Sequence, residues 1–183
     1  MKNSAFITGP VPITKEEVRA LALNKLDLKN KKCMIDVGAG TGTVGIEAAL
    51  SYDQLEVIAI ECKDAAYELT QKNIEKFGLS NIQLVKGYAP IPLEHPVDAI
   101  FIGGTGGKLE EMIKWSYDSL EEGGRIVANF IILDTFYEAF KLMEAVGFKE
   151  IEVTQVGISK LEKLGKGKYL RPENPIFIIE GTK

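Results

Sequence analysis

The chain has little cysteine, almost no histidine, no excess of positive charge and no long apolar run, and each shortage narrows what it does. Its two cysteines, Cys33 and Cys62, are too few and too far apart for a disulfide framework, and neither belongs to a Cys-x-x-Cys metal pair. They read as buried or half-buried thiols of a cytoplasmic protein. The single histidine, His95, lies in the proline-rich loop "PIPLEHPVD" and is a poor candidate for a catalytic base. No segment approaches the ~20 apolar residues a membrane helix requires, and "MKNSAFITGPVP" lacks the apolar core of a signal peptide. A net charge of −4 argues against general nucleic-acid binding, which normally needs a basic excess. There is no internal repeat, no low-complexity segment and no nucleophile–base pair at recognisable spacing.

What is present belongs to an ordinary globular protein, with 45% hydrophobic and 26% charged residues. A length of 183 residues suits one domain, 1–183. Thr14 and Glu17 stand at capping-box spacing before "VRALALNKL", so a helix is expected from about Thr14. From Cys33 onward, apolar strands alternate with amphipathic helices. Strand "CMIDV" leads through a glycine turn to helix "TVGIEAALS", and the alternation runs on through strand "RIVANFII" to helix "TFYEAFKLMEAVG". That pattern predicts an α/β fold whose mostly parallel sheet is covered on both faces. The last two strands, "KEIEVTQV" and "NPIFIIEG", break it. They are expected to pair antiparallel, joined by the long Gly- and Lys-rich loop "GISKLEKLGKGKYLRPE", whose length makes it suspect of function.

The turn "VGAGTGTVG" (Val37 to Gly45) follows the first strand, at the sheet edge where open α/β folds bind ligands. It holds two registers: G-x-G-x-G at Gly38, Gly40 and Gly42, and G-x-G-x-x-G at Gly40, Gly42 and Gly45. Glu61, ending strand "EVIAIE" about twenty residues on, can accept hydrogen bonds from ribose hydroxyls. This spacing suits NAD and S-adenosylmethionine alike. The methyl donor is favoured because the chain has little length for a second substrate domain and lacks a catalytic His, Tyr–Lys or Cys arrangement for hydride transfer. The terminal strand pair also resembles the end of the seven-stranded, Rossmann-like sheet of class I S-adenosylmethionine-dependent methyltransferases.

"DVGAGTG" (Asp36 to Gly42) is similar to the first motif of that superfamily, and "LEEGGRIV" to the turn before its fifth strand. Within it, "GPVPITKEEVRAL", "FIGGTGGKLEEMI" and "GISKLEKLGKGKYLRPENPIFIIEG" resemble the cobalt-precorrin-6B methyltransferases (decarboxylating) of anaerobic cobalamin biosynthesis, the CbiT family, in order and over nearly the whole chain. The resemblance implies methylation of ring carbon 15 and decarboxylation of the acetate arm on carbon 12, which gives cobalt-precorrin-7. It also implies that S-adenosylmethionine becomes S-adenosylhomocysteine and that the assembly is a homotetramer. Residues 1–30 are expected to cover the cofactor site.

Carried over by position, the resemblance implies cofactor contacts from Thr14, Gly38, Ala39, Gly40, Thr41, Gly42, Glu61 and the backbone near Ala89. Members of the family often show Gly-Asp-Ala where this chain has Gly87-Tyr88-Ala89, so Tyr88 either stacks on the adenine or simply packs. The glycine-rich run Gly103, Gly104, Thr105, Gly106 and Gly107 would let a flat macrocycle approach, or would simply form a flexible turn into the next helix. Asp134 is a candidate for handling a proton or for capping a helix; no essential nucleophile is expected.

Lys160, Lys163, Lys166, Lys168 and Arg171 face only Glu162 within the long loop, a sum of +5 − 1 = +4, which leaves −4 − 4 = −8 for the rest of the chain. A basic loop on an acidic protein either is solvated or binds a polyanion such as a polycarboxylate tetrapyrrole, with Lys166, Lys168 and Arg171 as candidate contacts. Lys15 and Arg19 could join the patch. The competing readings are a methyltransferase for RNA, protein or another metabolite, and a non-enzymatic NAD-binding redox module. The amine-methylating "PPY" type of motif is absent, since "IGGTGG" takes its place.

Overall fold

The computed structural model describes residues 1–183. A 3-10 turn at Asn3–Ala5 precedes α1 (Glu16–Leu26), and the chain then alternates β1 (Cys33–Val37), α2 (Thr43–Ser51), β2 (Glu56–Glu61), α3 (Asp64–Phe77) and β3 (Ile82–Lys86). It continues with β4 (Val97–Ile102), α4 (Leu109–Ser119), β5 (Leu120–Phe130), α5 (Leu133–Val146) and β6 (Lys149–Val156), then β7 (Ser159–Leu164), β8 (Gly167–Pro172) and β9 (Ile176–Thr182).

Seven strands form one sheet in the order β3-β2-β1-β4-β5-β9-β6, parallel except for β9, which runs antiparallel to both neighbours. Alternation along the strands divides the core in two. Ile35, Val37, Ile100, Ile102 and Ile126 point toward α4 and α5, while Met34, Ala99, Phe101 and Val127 point toward α1 and α2. The chain leaves β1 for β2 on one side and reaches β4 on the other, which opens a crevice at the carboxyl edge between β1 and β4.

Three local expectations change. The helix begins at Glu16 with Lys15 as its cap residue and no side-chain capping bond, so Thr14 and Glu17 form no capping box. Glu17 is instead drawn to Lys160. The long loop before the last strand is a β-hairpin, β7–β8, with Leu161 opposite Leu170 and Lys163 opposite Lys168. And β5 closes at Phe130, so Ile131 and Ile132, read from sequence as strand, leave the sheet and stand in solvent.

Arg19 also departs from expectation, for it contributes to no surface patch. Its side chain is fully buried, and its guanidinium donates to Glu47 on α2, to Asn3 Oδ1 at 2.7 Å and to the carbonyls of Thr14 and Met1 at 2.8 and 2.6 Å. One cation therefore ties the N-terminal strap to α1 and α2. Arg19→Met would leave those acceptors and the Glu47 carboxylate without their partner, a loss of about 3–5 kcal/mol. The expected result is a Tm lower by roughly 10 °C in thermal denaturation; an unchanged Tm would show that the strap is not held this way.

Candidate functional site

Backbone geometry at the end of β1 builds the site. Gly38 has φ +71°, in the left-handed region, and a Cβ there would lie 2.9 Å from the backbone nitrogen of Gly104. The turn after β1 and the turn after β4 thus approach each other closely, and only hydrogen fits between them. Gly38 and Ala39 N–H groups donate to the Ile60 carbonyl, joining the turn to β2. Glu61, 5% exposed, accepts from the Gly40 N–H at 2.9 Å and the Lys63 N–H at 2.8 Å. Its carboxylate therefore orders the loop and keeps lone pairs for a hydroxyl-bearing ligand.

Two residues that sequence reading missed support the loop from α3. Thr70 Oγ1 donates to the Gly40 carbonyl at 2.8 Å, and Asn73 Nδ2 donates to the carbonyls of Thr41 and Ile7, while Asn73 Oδ1 accepts from the Ile7 N–H. Asn73 thereby fastens the N-terminal strap to the glycine loop. Their signal in the sequence is a pair of polar residues three apart on the apolar face of α3.

Between strap, glycine loop and the end of β4 lies a cleft of about 350 Å³, lined by Thr14, Asp36, Gly38, Ala39, Gly40, Glu61, Gly103, Gly104, Gly106, Asn129 and Ile131, with Val11, Pro12 and Ile13 as one wall. Thr14, Gly38, Ala39, Gly40, Glu61 and three residues of the Gly103–Gly107 run are thus brought together. Thr41 and Gly42 are buried behind the loop. Ala89 belongs to the core, and Tyr88 is 60% exposed near Gly106, outside the cleft. Thr105 and Gly107 line a separate depression with Glu110, Glu111 and Glu138. Asp134 is exposed in the first turn of α5, whose cap position is Ile132, so it caps nothing.

Two buried oxygens in the cleft have no partner. Asp36 is 1% exposed; its Oδ2 accepts from the Gly45 N–H at 2.9 Å, but its Oδ1 bonds to nothing. Burial pushes its carboxyl up to about 7, the Gly45 hydrogen bond opposes the shift, and the charge of Glu61 adds to it. Asn129 Oδ1 is the second. Register places Asn129 just beyond Ala128, which is level with Ile102, so its amide stands beside Gly103 where the floor carries no side chain. Unpartnered polar atoms at such depth are costly unless a ligand meets them.

The hairpin rises from the same carboxyl edge. Lys15, on the cleft wall, pairs with Glu173 at 2.8 Å and donates to the Asn174 carbonyl, fixing the hairpin's base to the rim. Arg171 pairs with Glu162 at 2.8 Å and Lys160 with Glu17, which leaves Lys163, Lys166 and Lys168 without acidic partners. Lys163 and Lys168 lie directly opposite one another, a like-charge pair that is unfavourable unless an anion lies nearby.

A seven-stranded sheet with one antiparallel strand, a glycine turn after β1 and an acid ending β2 define a Rossmann-like class I methyltransferase. The precorrin methyltransferase domain profile matches residues 6–183, and the chain belongs to that family. It is 43% identical over 184 residues to the cobalt-precorrin-6B C(15)-methyltransferase (decarboxylating) of Salmonella typhimurium, covering 100% of this chain and 96% of that one. Among solved structures, a precorrin-6y C5,15-methyltransferase from Geobacter metallireducens superposes with a TM-score of 0.92 at 36% identity, covering 100% and 96% of the two chains. A precorrin-8w decarboxylase from Methanobacterium thermoautotrophicum does so at 0.89 and 32%, each chain covered in full.

Proposed function

We propose that this chain methylates carbon 15 of cobalt-precorrin-6B with S-adenosylmethionine and decarboxylates the acetate arm on carbon 12, yielding cobalt-precorrin-7. Full-length identity to a relative of that name and the domain-family match support the substrate. The observation that carries the cofactor reading is the unpartnered Asp36 Oδ1 in a glycine-lined cleft. The residues fit the cofactor: Glu61 for ribose hydroxyls, the glycine turn for close backbone approach, and Asp36 with the free amide oxygen of Asn129 for an ammonium.

When bound, S-adenosylmethionine supplies a methyl group on sulfonium, open to in-line displacement by an electron-rich ring carbon. The protein's part is to hold, orient and exclude water. Glu61, Thr70 and Asn73 hold the glycine loop in shape, and Arg19 and Asn73 hold the strap that walls the cleft. Gly103, Gly104 and Gly106 leave the floor open on the ring side. Asp134, exposed and with no side-chain hydrogen bond, plays no essential part in this reading of the chemistry. Lys163, Lys166 and Lys168, with Arg171 at the hairpin base, meet carboxylate arms.

The same hairpin supports a homotetramer. Leu161, Leu164 and Leu170 are 63%, 68% and 63% exposed on a two-stranded ribbon that gains stability when covered. No helix is long and apolar enough to cross a membrane; a cytoplasmic place, with the N-terminal segment 1–30 covering the cofactor within one domain, completes the reading.

Calorimetry with Asn129→Leu tests the cofactor pose. S-adenosylhomocysteine is expected to bind about tenfold more weakly than to the wild type, the worth of one lost charge-assisted hydrogen bond. 5′-Methylthioadenosine, which lacks the amino-acid end, should bind both proteins alike. Equal weakening of both ligands would place Asn129 elsewhere.

A further inference from the structure

Ile131, Ile132, Leu133 and Tyr137 are 60%, 64%, 59% and 55% exposed, and Tyr88, also outward, is 60% exposed. Isolated exposed apolar residues need no explanation, but a contiguous group beside a cleft does. The cause is local: β5 ends at Phe130 and α5 starts at Leu133, so the connecting residues cannot turn into either core. This surface is continuous with the cleft, because Ile131 lines it together with Gly104 and Gly106, and a Cβ on Gly106 would lie 3.6 Å from the Tyr88 ring. A Cβ on Gly104 or Gly107 would meet nothing within 4 Å, so the glycine run leaves its outer side open. Lys141 Nζ sits 4.4 Å from the centre of the Tyr137 ring; in the neighbouring depression Glu110 is paired with Lys114 at 2.6 Å and Glu111 with Lys108 at 3.6 Å, and further cations stand on the hairpin whose base is tied to the cleft rim.

We infer that Ile131, Ile132, Leu133 and Tyr137, with Tyr88 on the far side of the glycine run, form the platform on which the flat, conjugated face of the tetrapyrrole lies. This rests on the substrate class argued under Proposed function. A planar apolar ring with anionic arms needs an apolar surface under its face and cations or water at its margin, and this edge of the sheet offers both. A second subunit seated there would close the mouth through which the ring must reach the cofactor. Tyr88 therefore serves the substrate rather than the adenine.

Exposed positions allow a clean test, since polar substitutions there leave the core intact. Ile132→Asp and Leu133→Asp are compared with the wild type for binding of hydrogenobyrinic acid, a stable polycarboxylate corrin, to protein saturated with S-adenosylhomocysteine. Each is expected to weaken corrin binding at least about tenfold, from lost apolar burial and added like charge. Affinity for S-adenosylhomocysteine and particle mass should be unchanged, Tm should not fall, since Asp at the cap position or first turn favours α5, and Ile132→Leu should bind the corrin as the wild type does. Unchanged corrin affinity in both Asp variants would overturn the platform. A fall in particle mass would overturn it too, by showing a subunit contact. If the wild type binds S-adenosylhomocysteine but not the corrin, the substrate reading itself fails, and the platform with it.

Discussion

Gly40→Val is expected to raise the Kd for S-adenosylhomocysteine by a factor of 100 or more, about 3 kcal/mol. Gly40 has φ +61°, a conformation that costs a β-branched residue about 1–2 kcal/mol. Its Cβ would lie 3.3 Å from the Pro12 carbonyl oxygen, so the strap would have to move, and the valine methyls would occupy the cleft. Any rotation of the peptide to relieve this breaks the Gly40 N–H bond to Glu61. Gly45 is the contrasting site. It lies in α2, where a Cβ would meet Val57 Cγ1 and Asp36 Oδ2 at 3.1 Å, a tight fit against the sheet and the back of the Asp36 carboxylate, with no atom placed in the cleft itself. Gly45→Ala should cost about 1–3 kcal/mol of stability, with affinity lowered by less than about tenfold, through the Asp36 carboxylate it presses on. Calorimetry and thermal denaturation of both variants check this; equal tolerance at the two sites would show that the Gly38 register is not the working one.

Cofactor affinity should also depend on pH through Asp36. Its carboxyl ordinarily titrates at 3.8 and is pushed up to about 7 in the fold, chiefly by burial. Between these values the native protein keeps a proton that the unfolded chain has released, so the ligand-free protein loses stability as pH rises from about 4 to about 7 and then levels off. A ligand ammonium at Oδ1 favours the ionised carboxylate. Affinity should therefore rise with pH up to about 7 and flatten above it, changing by up to about tenfold per unit below. Asp36→Asn preserves an acceptor for the Gly45 N–H but removes the charge. It should abolish the pH dependence and weaken S-adenosylhomocysteine roughly 10- to 100-fold at pH 8, since a hydrogen bond to a charged group is worth about 1.5–3 kcal/mol. A wild-type Kd that is flat between pH 5.5 and 8 would exclude this role.

Sequence carried the parts of the site that follow from local backbone demands. The glycine turn, the acid ending β2 and the alternation of strands with helices were legible because each is a short-range pattern. Residues whose roles come from distant partners were not. By sequence alone Arg19 belongs with the surface cations, yet its burial depends on Glu47, Asn3 and Thr14, brought together only by the fold. Asp36 stands in the sequence only as the start of the first motif, and its free oxygen is visible only once the Gly45 N–H is seen to satisfy the other. The hairpin escaped because glycines and lysines interrupt its period of two. Ile131 and Ile132 continued an apolar run with nothing in sequence to mark where the sheet ends.

The most direct test is mass spectrometry of cobalt-precorrin-6B incubated with the purified protein and S-adenosylmethionine. The account predicts one product that has gained a methyl group and lost carbon dioxide, with S-adenosylhomocysteine formed in equal amount. An unchanged tetrapyrrole from protein that still binds S-adenosylhomocysteine would contradict the substrate assignment and leave a methyltransferase of another specificity.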